Sequence, residues 1–201
     1  AKLTATATST VPLVLESVVA TSLQPNVLPS VVTQIGGLVM GLAGKLPYLY
    51  LAQGPSLTIL DATNPVQPKQ VGQVILADAT VYDVAIEGDM AYLVGPSGLW
   101  TVDISDPSAP QQIGYTGQIS NAIALVVENG KAYIAAHLLP GSPPGRTGLA
   151  IVDVTDPAVP TIAGTLDLAQ DVYAVAVRNG LAYLGVPGGM QVVDVSNPAE
   201  L

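Results

Sequence analysis

The sequence has no cysteine and no phenylalanine, one tryptophan (Trp100) and one histidine (His137). Without cysteine there are no disulfides, no thiolate metal ligands and no thiol nucleophile. With one imidazole, any Ser-His-Asp set would have to be built on His137. No GxSxG turn accompanies it, since the nearest serine–glycine pair, Ser97-Gly98, reads as a strand connection. A single histidine without a second ligand is a poor metal site. Positive charge is scarce as well. Lys2, Lys45, Lys69, Lys131, Arg146 and Arg178 are scattered among fifteen acidic residues, for a net charge of −9. Nucleic-acid binders need clustered cations to neutralise phosphates, so that class is excluded, and docking on anionic lipid is disfavoured. No apolar run reaches the roughly 18 residues that a membrane-crossing helix needs. Neither a GxxxxGK[ST] loop nor a GxGxxG opening a helix occurs, and no cofactor is expected.

What the sequence does contain is repetition. The phrase Asp, any residue, Ser or Thr, Asp or Asn, Pro occurs as DATNP at 61–65, DISDP at 103–107, DVTDP at 153–157 and DVSNP at 194–198. The spacings are 42, 50 and 41 residues, the period of a repeat architecture. Each unit divides into four strand-like pieces rich in Val, Ile, Leu and Tyr. The first is seen at 38–42, 81–86, 122–127 and 172–177. A tight turn follows at Gly44-Lys45, Gly88-Asp89, Asn129-Gly130 and Asn179-Gly180, and Asn-Gly between apolar runs is the strongest short hairpin signal. The second piece carries Tyr48, Tyr92, Tyr133 or Tyr183 at one position, which predicts packing between units rather than a carbohydrate platform. The third piece (LTILD, LWTVD, LAIVD, MQVVD) runs into the Asp phrase, and the fourth (KQVGQVI, QQIGYTG, TIAGTLD) follows a proline. Four antiparallel strands per unit of about 40 residues make a propeller blade. The expected fold is all-β: a β-propeller of four four-stranded antiparallel repeat units, the last lacking its outer strand, with an N-terminal extended arm.

The pattern AYL, then GL-x-[VI]-V-D-[VI]-[ST]-[DN]-P-x-x-P, resembles the LVIVD repeat of bacterial and archaeal surface proteins, a propeller class close to the YVTN repeats. The resemblance covers about 36–201. It implies extracellular or cell-surface binding or structural roles, with the periplasm as the alternative compartment, and it supplies no catalytic residues.

Asp61, Asp103, Asp153 and Asp194 invite a metal-ligand reading. A calcium loop needs several oxygen donors converging from one segment, whereas these four lie in different units. Asp in this context accepts hydrogen bonds from the amides of its own turn, and the four are read as structural turn residues. Asp78, Asp83 and Asp171 are the acids that could face one mouth of a channel. One or two of them there would bind a cation or serve a hydrolase. A solvated rim is the simpler reading, because these residues do not recur from unit to unit.

Three departures from the repeat point elsewhere. Residues 1–28 do not fit it. Thr4, Thr6, Thr8 and Thr10 alternate with small residues, as an extended strand requires, and the stretch is more apolar than a disordered leader would be. It reads as an arm that adds a strand to another sheet. Residue 1 is Ala rather than Met, as removal of a targeting segment or a trimmed chain would leave it. The second departure is the stretch from Tyr133 to Asp153, 20 residues where Tyr92 to Asp103 takes 11. The excess lies within 137–148 and carries His137 and Arg146, a loop open to partner contact. The third is the last unit, which has no fourth piece and so offers an open edge. Val31–Ile35, preceded by Pro29, would fill that place, leaving Thr4, Thr6, Thr8, Val14 and Val18 to pair with a neighbouring subunit by strand addition. The expected units are an arm at 1–28 and repeats at 29–201, with blades near 36–76, 77–118, 119–168 and 169–201. Three assemblies fit: a closed four-blade ring, half a ring completed by a second copy, or part of a longer propeller. The function expected is a non-enzymatic, exported structural or interaction protein that self-associates or joins a larger protein assembly. A monomeric module binding at the channel mouth is the alternative, and an enzyme the third reading.

Overall fold

The computed structural model describes residues 37–137, 147–168 and 170–201. Contacts divide the chain into two compact units, 1–32 and 33–201, and every described element belongs to the second. Fifteen strands build four antiparallel sheets in chain order. Sheet 1 holds β1 (Gly41–Lys45), β2 (Tyr48–Gln53), β3 (Ser56–Asp61) and β4 (Lys69–Ile75). Sheet 2 holds β5 (Asp83–Glu87), β6 (Met90–Gly95), β7 (Gly98–Asp103) and β8 (Gln111–Thr116). Sheet 3 holds β9 (Ser120–Glu128), β10 (Lys131–His137), β11 (Thr147–Asp153) and β12 (Thr161–Asp167). Sheet 4 has three described strands, β13 (Ala174–Arg178), β14 (Leu181–Val186) and β15 (Gly189–Asp194), followed by a 3-10 turn at Pro198–Glu200.

The hairpins follow from local chemistry. Asn129-Gly130 and Asn179-Gly180 take positive φ at both positions (55° and 70°, 54° and 75°), the mirror-image turn whose twist matches that of the flanking strands. Sheet 1 departs from the sequence expectation. Its first turn lies at Leu46-Pro47, not Gly44-Lys45, because Gly44 pairs with Leu49 and Lys45 with Tyr48. Pro47 has no amide hydrogen for a ladder and fixes φ, so the chain reverses there. The first strand accordingly spans Gly41–Lys45 rather than 38–42.

Alternation along each strand gives a sheet two faces. One face of sheet 1 carries Tyr50, Ala52, Leu57 and Ile59, which share a core with Val84, Leu93, Trp100 and Val102 of sheet 2. The opposite face of sheet 2 (Tyr92, Val94, Leu99) meets Leu125, Ile134, Ala150 and Val152 of sheet 3. In turn Tyr133, Ala135, Leu149 and Ile151 of sheet 3 meet Ala182 and Leu184 of sheet 4, with Val175 and Val193 packed alongside. Each fully buried Leu or Ile contributes roughly 1.5–3 kcal/mol. These three apolar seams, one per neighbouring pair, hold the body together.

Candidate interaction surface at the fourth sheet

The Asp phrase builds a two-step turn. In the first step the carboxylate accepts from the amide two residues on: Thr63 to Asp61 at 2.8 Å, Ser105 to Asp103 at 2.8 Å, Thr155 to Asp153 at 2.9 Å and Ser196 to Asp194 at 2.9 Å. Thr155 and Ser196 also donate their hydroxyls at 2.6 Å. These bonds favour the charged form. The hydroxyl and amide of Thr63, Thr155 and Ser196 hold the carboxyls of Asp61, Asp153 and Asp194 below the usual range, and the amide and hydroxyl of Ser105 do so for Asp103. In the second step the carbonyls of Asn64, Asp106, Asp156 and Asn197 accept from the amide three residues on, at 3.0–3.1 Å, with proline in the second place of the turn.

What the turn presents is the carbonyl of that proline. Next to Gly72, Gly114 and Gly164 the outer strand of each of the first three sheets carries one extra residue (Val71, Ile113, Ala163), where the register shifts against Ile59 and Leu60, Thr101 and Val102, and Ile151 and Val152. Each glycine lies against the next sheet's turn: a Cβ on Gly72 would strike the Pro107 carbonyl, one on Gly114 that of Pro157, and one on Gly164 that of Pro198. The Thr101 hydroxyl donates to the same Pro157 carbonyl at 2.5 Å. Bulge, glycine and Asp turn therefore form one joint, repeated three times. No described glycine lies against Pro65, the matching residue of sheet 1.

The inner strands add charged joints. Asp83 accepts from its neighbour Val84 and, across the seam, from Leu125, both at 2.9 Å. Burial pushes its carboxyl up despite these two amides. Glu87 takes the amides of Asn129 (2.7 Å) and Gly130 (3.0 Å) at the tip of the next sheet. Lys45, at the same place in sheet 1, donates to the Gly88 carbonyl at 2.7 Å and to Asp89 at 2.8 Å. The bonds to Asp89 raise the Lys45 pKa, and burial opposes them. Asp83 is thus spent bridging two sheets. Asp171 accepts from Thr147 at 3.2 Å and from the Tyr173 hydroxyl at 3.3 Å. Asp78 sits in the β4–β5 loop with φ 52°. No three acidic or histidine residues gather to hold a metal among the described residues.

Sheet 4 breaks the series. Its Tyr183, Met190 and Val192 occupy the places of Tyr50, Leu57 and Ile59. The tyrosine column therefore runs through Tyr50 and not Tyr48, which pairs with Asp61 as Met90 does with Asp103 and Leu181 with Asp194. Leu57, Ile59, Leu99, Leu149 and Ile151 are fully buried, yet Met190 is 62% exposed and Val192 51%. Ala174, Ala176 and Arg178 on the same face are exposed too. On the outer side of β15, where β4, β8 and β12 stand in the other sheets, no described strand is paired. Of the interaction residues singled out from sequence, Thr4, Thr6, Thr8, Val14, Val18 and Arg146 lie outside the described residues, as does Val31–Ile35. The main chain of His137 ends β10, paired with Thr147 and Ser120. Sequence reasoning does not single out the exposed face of sheet 4. Met190 and Val192 carry the same apolar pattern as the occupied seams, and that pattern alone does not tell a covered face from an open one.

Four sequential antiparallel sheets joined seam to seam, inner strand beside inner strand, define a β-propeller. The LVIVD repeat matches at 36–75, 79–116, 145–167 and 169–201, and the chain belongs to that repeat family. Among solved structures it is similar to the computationally designed Ika4 protein (10% identity, TM-score 0.63, 81% of this chain, 94% of that one). It is also similar to BamB from Moraxella catarrhalis (16%, TM-score 0.58, 81% and 48%) and to Sqt1 from Saccharomyces cerevisiae (9%, TM-score 0.62, 80% and 45%). The chain spans less than half the length of the last two. No curated protein matches it in sequence. No described helix is long and apolar enough to cross a membrane.

Proposed function

We propose that this chain is a non-enzymatic, exported scaffold that assembles with copies of itself or with a larger protein complex, a strand from the arm at 1–28 pairing with the edge of sheet 4. The observation that carries this reading is the three-stranded fourth sheet, with no described strand on the outer side of β15. An open edge presents a row of free amides and carbonyls, and an alternating, uncharged segment such as Thr4, Thr6 and Thr8 suits it. His137 and Arg146, flanking the inserted loop, would make a second contact. The non-enzymatic part is supported by the carboxylates, which are engaged in turns and seams: Asp83 is held by Val84 and Leu125, and Asp171 by Thr147. In this reading Asp61, Asp103, Asp153 and Asp194 serve the frame alone. Export rests on the family resemblance and is tested by fractionating source cells. Assembly is tested by deleting residues 1–20 and measuring mass by light scattering. The reading expects the deletion to leave a single shortened chain, lighter than the 20.4 kDa of the full one, and assembly unchanged by the deletion would overturn it.

A further inference from the structure

We propose that the free Tyr183 face of sheet 4 seats the first sheet of a second copy, extending the repeated seam from one chain into the next. The inference rests on the self-association reading and names a different contact, face to face rather than edge to edge.

Three seams show what this face is built to meet. In each, the places of Tyr183, Met190 and Val192 are packed against the inner strand and third strand of the following sheet. Leu57 shares its cluster with Val84, Leu99 with Leu125, and Leu149 lies beside Val175. By register, Met190 corresponds to Leu57, Leu99 and Leu149, and Leu42 to Val84, Leu125 and Val175. Leu42 is the one member of its column left open, at 61% exposed, with Met40 beside it at 51%. Leu51 and Leu60 of the same face are already buried, so the contact falls on the inner-strand side, at Met40, Leu42 and the Leu46 turn. A ring closed by this chain alone would cover Met190 and Val192 with its own sheet 1, and in this structure both are exposed.

The ends of the series match in their polar groups too. Arg178 stands where Lys45 and Glu87 stand, and those two grip the tip of the following sheet at Gly88-Asp89 and at Asn129-Gly130. The corresponding tip of sheet 1 is Leu46-Pro47, which has no amide at Pro47 to offer. The Pro47 carbonyl already accepts from Ala62 at 2.9 Å, and the Leu46 carbonyl is the counterpart of the Gly88 carbonyl that Lys45 grips. A guanidinium is the right partner for carbonyls, and a carboxylate would not be. Pro65, whose counterparts Pro107, Pro157 and Pro198 each rest on a preceding glycine, is likewise without one among the described residues. The contact is heterologous, so copies join head to tail and form a ring if the rotation closes, a filament if it does not.

The test uses the full chain in sedimentation velocity over a dilution series. The expected result is a multiple of 20.4 kDa that dissociates on dilution. Val192→Glu and Met190→Glu, each burying a carboxylate in an apolar seam, weaken association by about tenfold or more. Both side chains are exposed in the single chain, so circular dichroism and the melting temperature of the diluted protein stay unchanged. Because there is no native cysteine, mixing a Met190→Cys chain with a Leu42→Cys chain under mild oxidation yields a disulfide-linked heterodimer, and it does so equally after deletion of residues 1–20. If the deletion dissociates the wild type while the glutamate variants assemble normally and the cysteine pair does not link, strand addition stands and the face contact is overturned. If the deletion is silent while the face variants dissociate, strand addition falls and the face contact stands. A wild type that stays a single chain at every soluble concentration sinks both.

Discussion

A Cβ on Gly114 would meet the carbonyl oxygen of Pro157 and the Thr101 hydroxyl, and neither can easily move: the first is backbone, the second is buried and bonded to the first. Gly114→Ala should therefore cost about 1–3 kcal/mol, as overpacking of a tight site does. The check is a lowered urea midpoint with unchanged slope, and an unshifted midpoint would remove the glycine–proline joint from the account of the seams. Acid titration separates two kinds of carboxylate in the same frame. Asp83 has its folded pKa raised, chiefly by burial, so between that value and the unfolded one near 3.8 the native state binds the extra proton and stability rises as pH falls. Asp61, Asp103, Asp153 and Asp194 have theirs lowered. There the unfolded chain binds the proton first, so their contribution is present above 3.8 and lost as pH falls through the lowered values. Urea midpoints against pH should show a shallow acid-side rise, then a fall, and Asp83→Asn should abolish the rise and keep the fall. These residues also mark how far sequence reaches. The Asp61–Thr63 contact spans two residues and is written in the phrase itself. The contacts of Asp83 with Leu125 and of Gly72 with Pro107 span about 40 residues and depend on where the next sheet lies, so Asp83 reads from sequence as an acid on a solvated rim.

At the scale of the element, the hairpin ends of the first two inner strands, β1 and β5, are each tied to the tip of the next sheet by one side chain. Glu87 captures two amides of the Asn129-Gly130 turn, donors that the positive-φ backbone aims outward. Lys45 makes its pair with Asp89 at the surface, both side chains being largely in water. A charged acceptor on two fixed amides is worth more than an exposed ion pair. Glu87→Ala should cost about 1–2 kcal/mol, while Lys45→Ala should be close to neutral and its small effect should vanish in high salt. Equal losses for the two variants, read from urea midpoints, would contradict this ranking. The strands of sheets 2 to 4 were legible, because alternation, the column of Tyr92, Tyr133 and Tyr183, and the Asn-Gly turns of sheets 3 and 4 are local signals, whereas in sheet 1 the column passes through Tyr50 and not Tyr48. The fourth pieces KQVGQVI and TIAGTLD coincide with β4 and β12. Sheet 1 was misread by three residues because Gly44-Lys45 has turn composition, and only the pairing of Gly44 with Leu49 shows that Pro47, two positions on, sets the reversal.

For the whole molecule, repetition along the chain becomes repetition of seams, and stability approximates a sum over sheets and neighbouring pairs. Sheets 2 and 3 have an apolar seam on both faces, sheet 4 on one among the described residues. Sequence periodicity cannot reveal that asymmetry, since Met190 and Val192 carry the same apolar code as Leu99 or Ile151, and only burial tells an occupied face from an empty one. The asymmetry predicts a gradient in native-state hydrogen exchange of the dilute single chain. Amides of β6, β7, β10 and β11 should open only in the global transition, and those of β13 to β15 should exchange sooner through local opening of the outermost sheet. Raising the concentration should slow β14 and β15 more than β6 and β7, because a seated neighbour supplies the missing seam. Exchange in β14 as slow as in β10 at high dilution would mean that sheet 4 already has its second face supported, and the argument from the exposed Met190 and Val192 would fail.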